Sequence, residues 1–149
     1  MRDQLLTPDK RTSPSILVAD DETAIKELVR EMLESSGYKV YTASDGREVI
    51  TCLRENPVDL LITDLVMPEQ EGVETICQAR QMLPELKVIA ISGGATLYLK
   101  IARLLGATAT LQKPFSMDAL ISTVERLLGA PTDSPAVTWS DAGVSVRKP

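Results

Sequence analysis

Apolar residues follow two alternating rhythms along this chain. The runs "SILVA" (15–19), "YKVYT" (38–42), "DLLIT" (59–63), "KVIAIS" (87–92) and "ATLQ" (109–112) are short and bounded by turn residues or charge, which predicts strands. The first, third and fourth are almost continuously apolar, as central parallel strands covered on both faces should be. Between them the period lengthens to that of a helix. Ile25, Leu28, Val29, Met32 and Leu33 recur at i, i+3, i+4, i+7 and i+8, and Gly37 follows as a stop. Met117, Leu120, Ile121, Val124, Leu127 and Leu128 form a second stripe, with Ser116 placed as N-cap and Gly129 as stop. Three further helices are predicted near 45–55, 72–83 and 96–105, one ending at "NP" and one at Gly106. In the 96–105 helix, Leu97, Ile101, Leu104 and Leu105 can share the buried stripe, which leaves Leu99 and Tyr98 toward solvent.

Five strands alternating with five helices require crossover connections, and so a doubly wound parallel sheet of the α/β class. In such sheets ligands bind beyond the carboxyl ends of the strands. Those ends carry Asp20 and Asp21 after the first strand, Asp64 after the third, Ser92 after the fourth and Lys113 after the fifth. Three carboxylates, a hydroxyl and an ammonium are thereby predicted to share one edge.

Composition narrows what that edge can do. With 149 residues, 44% of them hydrophobic, the chain suits one domain with a full core. Residues 15–129 carry the periodic pattern. Residues 1–14 and 130–149 are rich in Pro, Ser, Thr, Asp and Gly and read as flexible tails, although "AVTW" has the pattern of a short strand. The stretch after Gly129 is too short for a DNA-binding domain, so a stand-alone module is expected. A net charge of −5 argues against direct contact with nucleic acid or anionic membrane. No apolar run approaches the roughly 20 residues of a membrane span, and the opening lacks a signal-peptide core, so a cytoplasmic protein is expected. Cys52 and Cys77 read as reduced packing thiols. The absence of histidine removes Ser-His-Asp and Cys-His catalysis, His-ligated zinc and any phosphohistidine of the chain's own.

Two carboxylates about 4 Å apart repel by roughly 4 kcal/mol at an effective dielectric near 20, so three together call for a cation. Oxygen-only ligands in an open loop site suit Mg²⁺, with Mn²⁺ as a substitute, and leave coordination positions for a phosphate. With Asp64 central, the group is arranged as a phosphoryl acceptor: aspartate as nucleophile, Lys113 and Ser92 each holding a phosphoryl oxygen. Each element also has a plainer use. Acidic pairs before a helix cap it, a lone Asp or a Ser before two glycines makes a turn, and a Lys before Pro is commonly solvated. The combination is what distinguishes this chain.

The pair at Asp20 and Asp21, "DLVMPEQEG" from Asp64, "ISGG" with Ser92 and "LQKPF" with Lys113, at these separations, resemble the receiver domains of two-component response regulators. The resemblance covers residues 15–129. It implies a flavodoxin-like (βα)5 fold with strand order 2-1-3-4-5, in which Asp64 accepts phosphate from a histidine kinase or histidine phosphotransfer protein. It further implies that Asp21, Asp64 and the carbonyl of Val66 bind the metal while Asp20 acts through water. Ser92 would be the switch hydroxyl, and the Lys113-Pro114 bond would be cis. Such a domain catalyses only its own phosphorylation and dephosphorylation. It acts on a downstream protein through the face formed by helix four, strand five and helix five, as a monomer or a phosphorylation-dependent dimer.

One position departs from the family. Where receivers usually carry Tyr or Phe three residues before the lysine, this chain has Thr110, which cannot fill the volume of a ring. Two readings stand: signalling rests on Ser92 and helix four, or Thr110 is simply a β-favouring residue. Around helix four the charge balance also changes. Residues 15–92 carry 7 basic and 15 acidic groups, and residues 93–129 carry 4 and 2. Lys100 and Arg103 therefore border a plausible partner surface, the alternative being a solvated helix with a stray leucine. Two other functions compete with the phosphoacceptor. One is a binding-only pseudo-receiver. The other is a haloacid dehalogenase-type phosphatase, whose second aspartate is replaced here by Val66, which cannot donate a proton.

Overall fold

In the computed structural model, which describes residues 13–65, 72–94 and 96–129, the five apolar runs form one parallel sheet. Strands β1 (Ser15–Ala19), β2 (Lys39–Ala43), β3 (Leu60–Asp64), β4 (Lys87–Ser92) and β5 (Ala109–Gln112) alternate with helices α1 (Thr23–Ser35), α2 (Gly46–Glu55), α3 (Gly72–Met82), α4 (Thr96–Leu104) and α5 (Met117–Leu128). The strand order is β2-β1-β3-β4-β5, as the resemblance implied. Residues 1–12 and 130–149, "AVTW" among them, and Val66 lie outside the described residues, whereas Pro14 is described and its carbonyl accepts the Lys39 N–H at 3.0 Å.

Three strands match the sequence pattern to the residue, and β2 and β3 each start one residue later than it suggests. At β3 the reason is Asp59, whose carboxylate accepts the Ser15 N–H at 2.9 Å instead of entering the strand. At β2 it is Tyr38, whose ring is buried and whose hydroxyl donates to the Gly129 carbonyl at 3.2 Å, tying the ends of α1 and α5 together. The shift of β3 makes Asp64 its last residue.

Side-chain alternation along the strands feeds two apolar layers. Leu17, Leu61, Val88 and Ala90 face α2, α3 and α4, where Val49, Leu53, Ile76 and Ala79 meet them. Ile16, Ile62, Ile89 and Ile91 face α1 and α5 and pack on Leu33, Leu120 and Val124. Local signals set the helix ends. The Asp45 carboxylate accepts the Glu48 N–H to start α2, and Ser116 Oγ accepts the Ala119 N–H to start α5. Gly37, at φ 100°, follows α1 in the left-handed region that glycine reaches without strain.

Two stripes differ from the expectation. In α1, Leu28 is exposed, while Lys26 is buried with its ammonium on Ser44 Oγ, so the lysine stem joins Val29 and Leu33 on the buried face. In α4 the difference is larger. The stripe expected to be buried points outward: Leu97 is 61% exposed and Leu104 85%, with Leu105 also exposed. The face toward the sheet is formed by Leu99, packed on the core, and by Ala102, at 0% exposure. Periodicity locates a stripe but not the surface it meets. Here α4 lies over β4 and the edge strand β5, and the methyl of Ala102 permits the close approach that a leucine would prevent. Leu99 is therefore half-buried instead of solvent-facing, whereas Tyr98 is exposed as expected.

Candidate functional site

The carboxyl edge of the sheet collects the charged groups. Asp20 follows β1 directly, and its N–H donates to the Ala43 carbonyl at 3.1 Å, continuing the ladder by one residue. That bond turns its carboxylate inward, where Oδ1 accepts the Glu22 N–H at 2.9 Å. Glu22 is the N-cap of α1 by backbone position and makes no side-chain cap hydrogen bond, so Asp20 engages the cap residue's own N–H and not an N–H of the first turn. Asp21 stays exposed. Asp64 closes β3 at 7% exposure, and Thr63 Oγ1 donates to its carbonyl at 2.9 Å. One carboxylate oxygen from each of Asp20, Asp21 and Asp64 lies within 4.8 Å of the others.

Lys113 crosses to this cluster from the end of β5. Its Nζ lies 2.9 Å from Asp64 Oδ2, 3.5 Å from Asp20 Oδ2 and 3.8 Å from Glu22 Oε1. The Lys113 N–H donates to the Ser92 carbonyl at 2.9 Å, and the Lys113-Pro114 peptide is cis. Burial works against the charged ammonium, but the hydrogen bond and charge of Asp64, with Asp20 and Glu22, outweigh it and raise the lysine above its ordinary pKa. Asp20 is also raised, chiefly by burial, against the pull of the Glu22 N–H and the ammonium.

Ser92 is at 0% exposure, and its Oγ accepts the Gly94 N–H at 3.1 Å. Its hydroxyl thus faces the loop into α4, whose Tyr98 ring lies beside Gly94. Thr110 pairs with Ala90 in the β4–β5 register, is half-buried and stands on the α4 side of β5. The structure therefore unites Asp20, Asp21, Asp64 and Lys113, sets Ser92 on the neighbouring strand end, and leaves Thr110, Tyr98 and Leu99 along the path toward α4.

Two contributors escaped the sequence reading. Gly72 opens α3 against the backbone of the central strand: a Cβ there would stand 2.4 Å from the Asp64 carbonyl oxygen and 2.5 Å from Leu65 Cα. A glycine at the first position of a helix was the available signal. Glu22, the third acid of "DDE", adds a carboxylate beside Lys113; its place in the run hid it behind the pair.

All the anionic donors are oxygens, in a cluster open on the Asp21 side, and such a set fits a hard divalent cation that keeps part of its water shell. Residues 16–125 match the family model for the response regulator receiver domain. The chain belongs to that family. It is 35% identical over 133 residues to the DNA-binding transcriptional regulator NtrC of Azospirillum brasilense, a match that covers 89% of this chain and 27% of the relative. With the response regulator receiver protein CpdR of Brucella abortus it shares 34% identity over 114 residues, 76% of this chain and 95% of the relative. The receiver therefore spans about a quarter of the NtrC relative and nearly all of CpdR. Among solved structures, a CheY-like receiver domain protein from Methanospirillum hungatei JF-1 superposes with a TM-score of 0.76 at 28% identity, covering 81% of this chain and 98% of that one. These matches establish the flavodoxin-like receiver fold and a place in two-component signalling. They lend no support to a haloacid dehalogenase-type phosphatase. Among the described residues, no helix is long and apolar enough to cross a membrane.

Proposed function

We propose that this receiver is a phosphoacceptor, modified on Asp64 by a histidine kinase or a histidine phosphotransfer protein. The observation that carries the reading is the 2.9 Å contact between Lys113 Nζ and Asp64 Oδ2 beside two further carboxylates. A lone aspartate at a strand end needs no such partner. A carboxylate that must take on a phosphoryl group needs a fixed cation to meet the charge that arrives.

In the transfer, an Asp64 carboxylate oxygen forms a bond to the phosphorus of a partner's phosphohistidine as the phosphorus–nitrogen bond breaks, and the bonding pair stays on the imidazole. Lys113 holds the nucleophile in place beforehand and then binds a phosphoryl oxygen. Asp20, Asp21 and Asp64 would hold Mg²⁺, with Mn²⁺ as a substitute, together with the Val66 carbonyl from outside the described residues. When bound, the ion supplies neutralisation of charge on the phosphoryl oxygens. The Ser92 hydroxyl, whose oxygen accepts the Gly94 N–H, donates its own hydrogen to the phosphoryl group, and that new bond pulls on the loop into α4. Output then runs through the α4–β5–α5 face to a downstream protein in the cytoplasm. Catalysis is limited to the domain's own phosphorylation and dephosphorylation.

Treatment with acetyl phosphate and Mg²⁺, read by mass spectrometry, is expected to add one phosphoryl group that Asp64→Ala abolishes. Beryllofluoride with Mg²⁺ is expected to shift the amide resonances around Asp64, Ser92 and Lys113. A chain inert to both treatments overturns the phosphoacceptor reading and leaves a binding-only module.

A further inference from the structure

We infer that Lys26 is a positioning residue for Asp20, holding that carboxylate where a divalent cation needs it by tethering α1 to the end of β2 through Ser44. The inference rests on the reading of the acid cluster as a cation site, and not on phosphoryl transfer.

Lys26 lies near the start of α1 at 6% exposure, and its ammonium donates to Ser44 Oγ. The acceptor is a neutral hydroxyl, and burying an ammonium against one opposes folding. A methionine of similar length would cover the same apolar surface without burying a charge. The helix nevertheless keeps the lysine inside and Leu28 outside, so packing alone does not account for it.

What the ammonium reaches is the segment that holds Asp20. The Asp20 N–H donates to the Ala43 carbonyl at 3.1 Å, and Ser44 is the next residue. On the other side, Asp20 Oδ1 accepts the Glu22 N–H at 2.9 Å, and the Glu22 carbonyl accepts the Lys26 N–H at 3.0 Å. Asp20 is thus enclosed in a ring that runs through Ala43, Ser44, Lys26 and Glu22. The backbone links of that ring would form with almost any residue at position 26. The closing link, from Lys26 to Ser44, requires a long side-chain donor.

The tether acts where the sheet is weakest. Strand β2 is an edge strand, paired with β1 alone, so nothing on its outer side holds its end. Lys26 takes hold of that end from α1, and Glu48 Oε1 accepts the Ser44 N–H at 2.7 Å from α2. Both polar groups of Ser44 are therefore engaged, and the Ala43 carbonyl before it is fixed for Asp20. Groups that lie behind a metal-holding residue set its orientation, and their loss commonly weakens metal binding by about 10–100-fold.

The test uses the full chain and Mn²⁺ alone, with binding read from the paramagnetic resonance signal of the free ion. Lys26→Met is expected to weaken Mn²⁺ binding by about tenfold or more, while its urea midpoint stays level or rises. Hydrogen exchange should show less protection of the Asp20 and Glu22 amides, with those of β3 unchanged. Lys26→Arg, which keeps a long charged donor, should recover most of the affinity. Ser44→Ala should weaken binding by a similar factor, and the double variant with Lys26→Met should be no weaker than either alone. Affinity equal to the parent's in Lys26→Met overturns the inference. So does a loss of affinity that comes with a lower midpoint and a general loss of protection in β3, because the lysine would then serve the scaffold only. Additive losses in the double variant overturn the route through Ser44. A parent that takes up phosphoryl at Asp64 and binds Mn²⁺ no better than Lys26→Met leaves the phosphoacceptor reading intact and removes this one. A parent that binds no Mn²⁺ removes the cation site and this inference together.

Discussion

Lys113 Nζ and Asp64 Oδ2 meet at 2.9 Å from the ends of two strands that are not neighbours, with β4 between them. The lysine compensates three acids at once, so its removal exposes their mutual repulsion. Lys113→Ala is expected to destabilise the metal-free domain by about 1–3 kcal/mol, as loss of a charged hydrogen bond does. Adding Asp20→Asn should recover part of that loss, because the two side chains are coupled. Urea midpoints of the two single variants and the double variant check both statements.

The pH dependence has two arms. Lys113 is raised above its ordinary value of 10.5, so its contribution to stability is complete below that value and fades as pH rises through the folded pKa. Asp20 is raised above 3.8, so the folded state holds a proton that the unfolded chain releases, and stability falls as pH rises between those two values. In metal-free protein Asp20→Asn is therefore expected to raise the melting temperature at neutral pH, with the gain shrinking toward the ordinary Asp value. Thermal melts of both proteins across roughly pH 4 to 8 test the sign.

Gly72→Ala should cost about 2–3 kcal/mol, since the new methyl overlaps the backbone of Asp64 and Leu65 and α3 must move away from β3. The same displacement disturbs the nucleophile. Chemical denaturation should show the loss of stability, and beryllofluoride titration should show weakened uptake at Asp64.

Ser92→Ala removes a buried acceptor of the Gly94 N–H and is expected to cost about 1 kcal/mol. Its larger effect is on transmission. In the parent protein, beryllofluoride with Mg²⁺ should shift the amide resonances of residues 93–105. In the variant those shifts should collapse while those at Asp64 persist. Unchanged shifts in 93–105 on activation of the parent would mean that the Ser92–α4 route does not carry the signal past Thr110.

The strands were legible because burial on both faces leaves a continuous apolar run, and "SILVA", "KVIAIS" and "ATLQ" coincide with β1, β4 and β5. The site followed from topology, since a doubly wound sheet brings the residues after each strand to one edge. What escaped depends on distances that a linear pattern does not hold. The orientation of α4 was decided by the room above β5, which suited Ala102, and not by the strength of its leucine stripe. Lys26 joined the buried face because Ser44, just past β2, offered its ammonium a partner. Gly72 mattered only once α3 was laid against β3.

At the opposite end of the sheet, Asp59 acts as a clasp. Its carboxylate and its N–H both engage Ser15, at 2.9 and 2.8 Å, and its carbonyl accepts the Lys87 N–H, so one residue spans the starts of β1, β3 and β4. The three central strands are thus pinned in register at the end that takes no part in the chemistry. Charge can arrive, depart or rearrange at the other end without the strands slipping past one another, because their alignment is anchored a full strand length away.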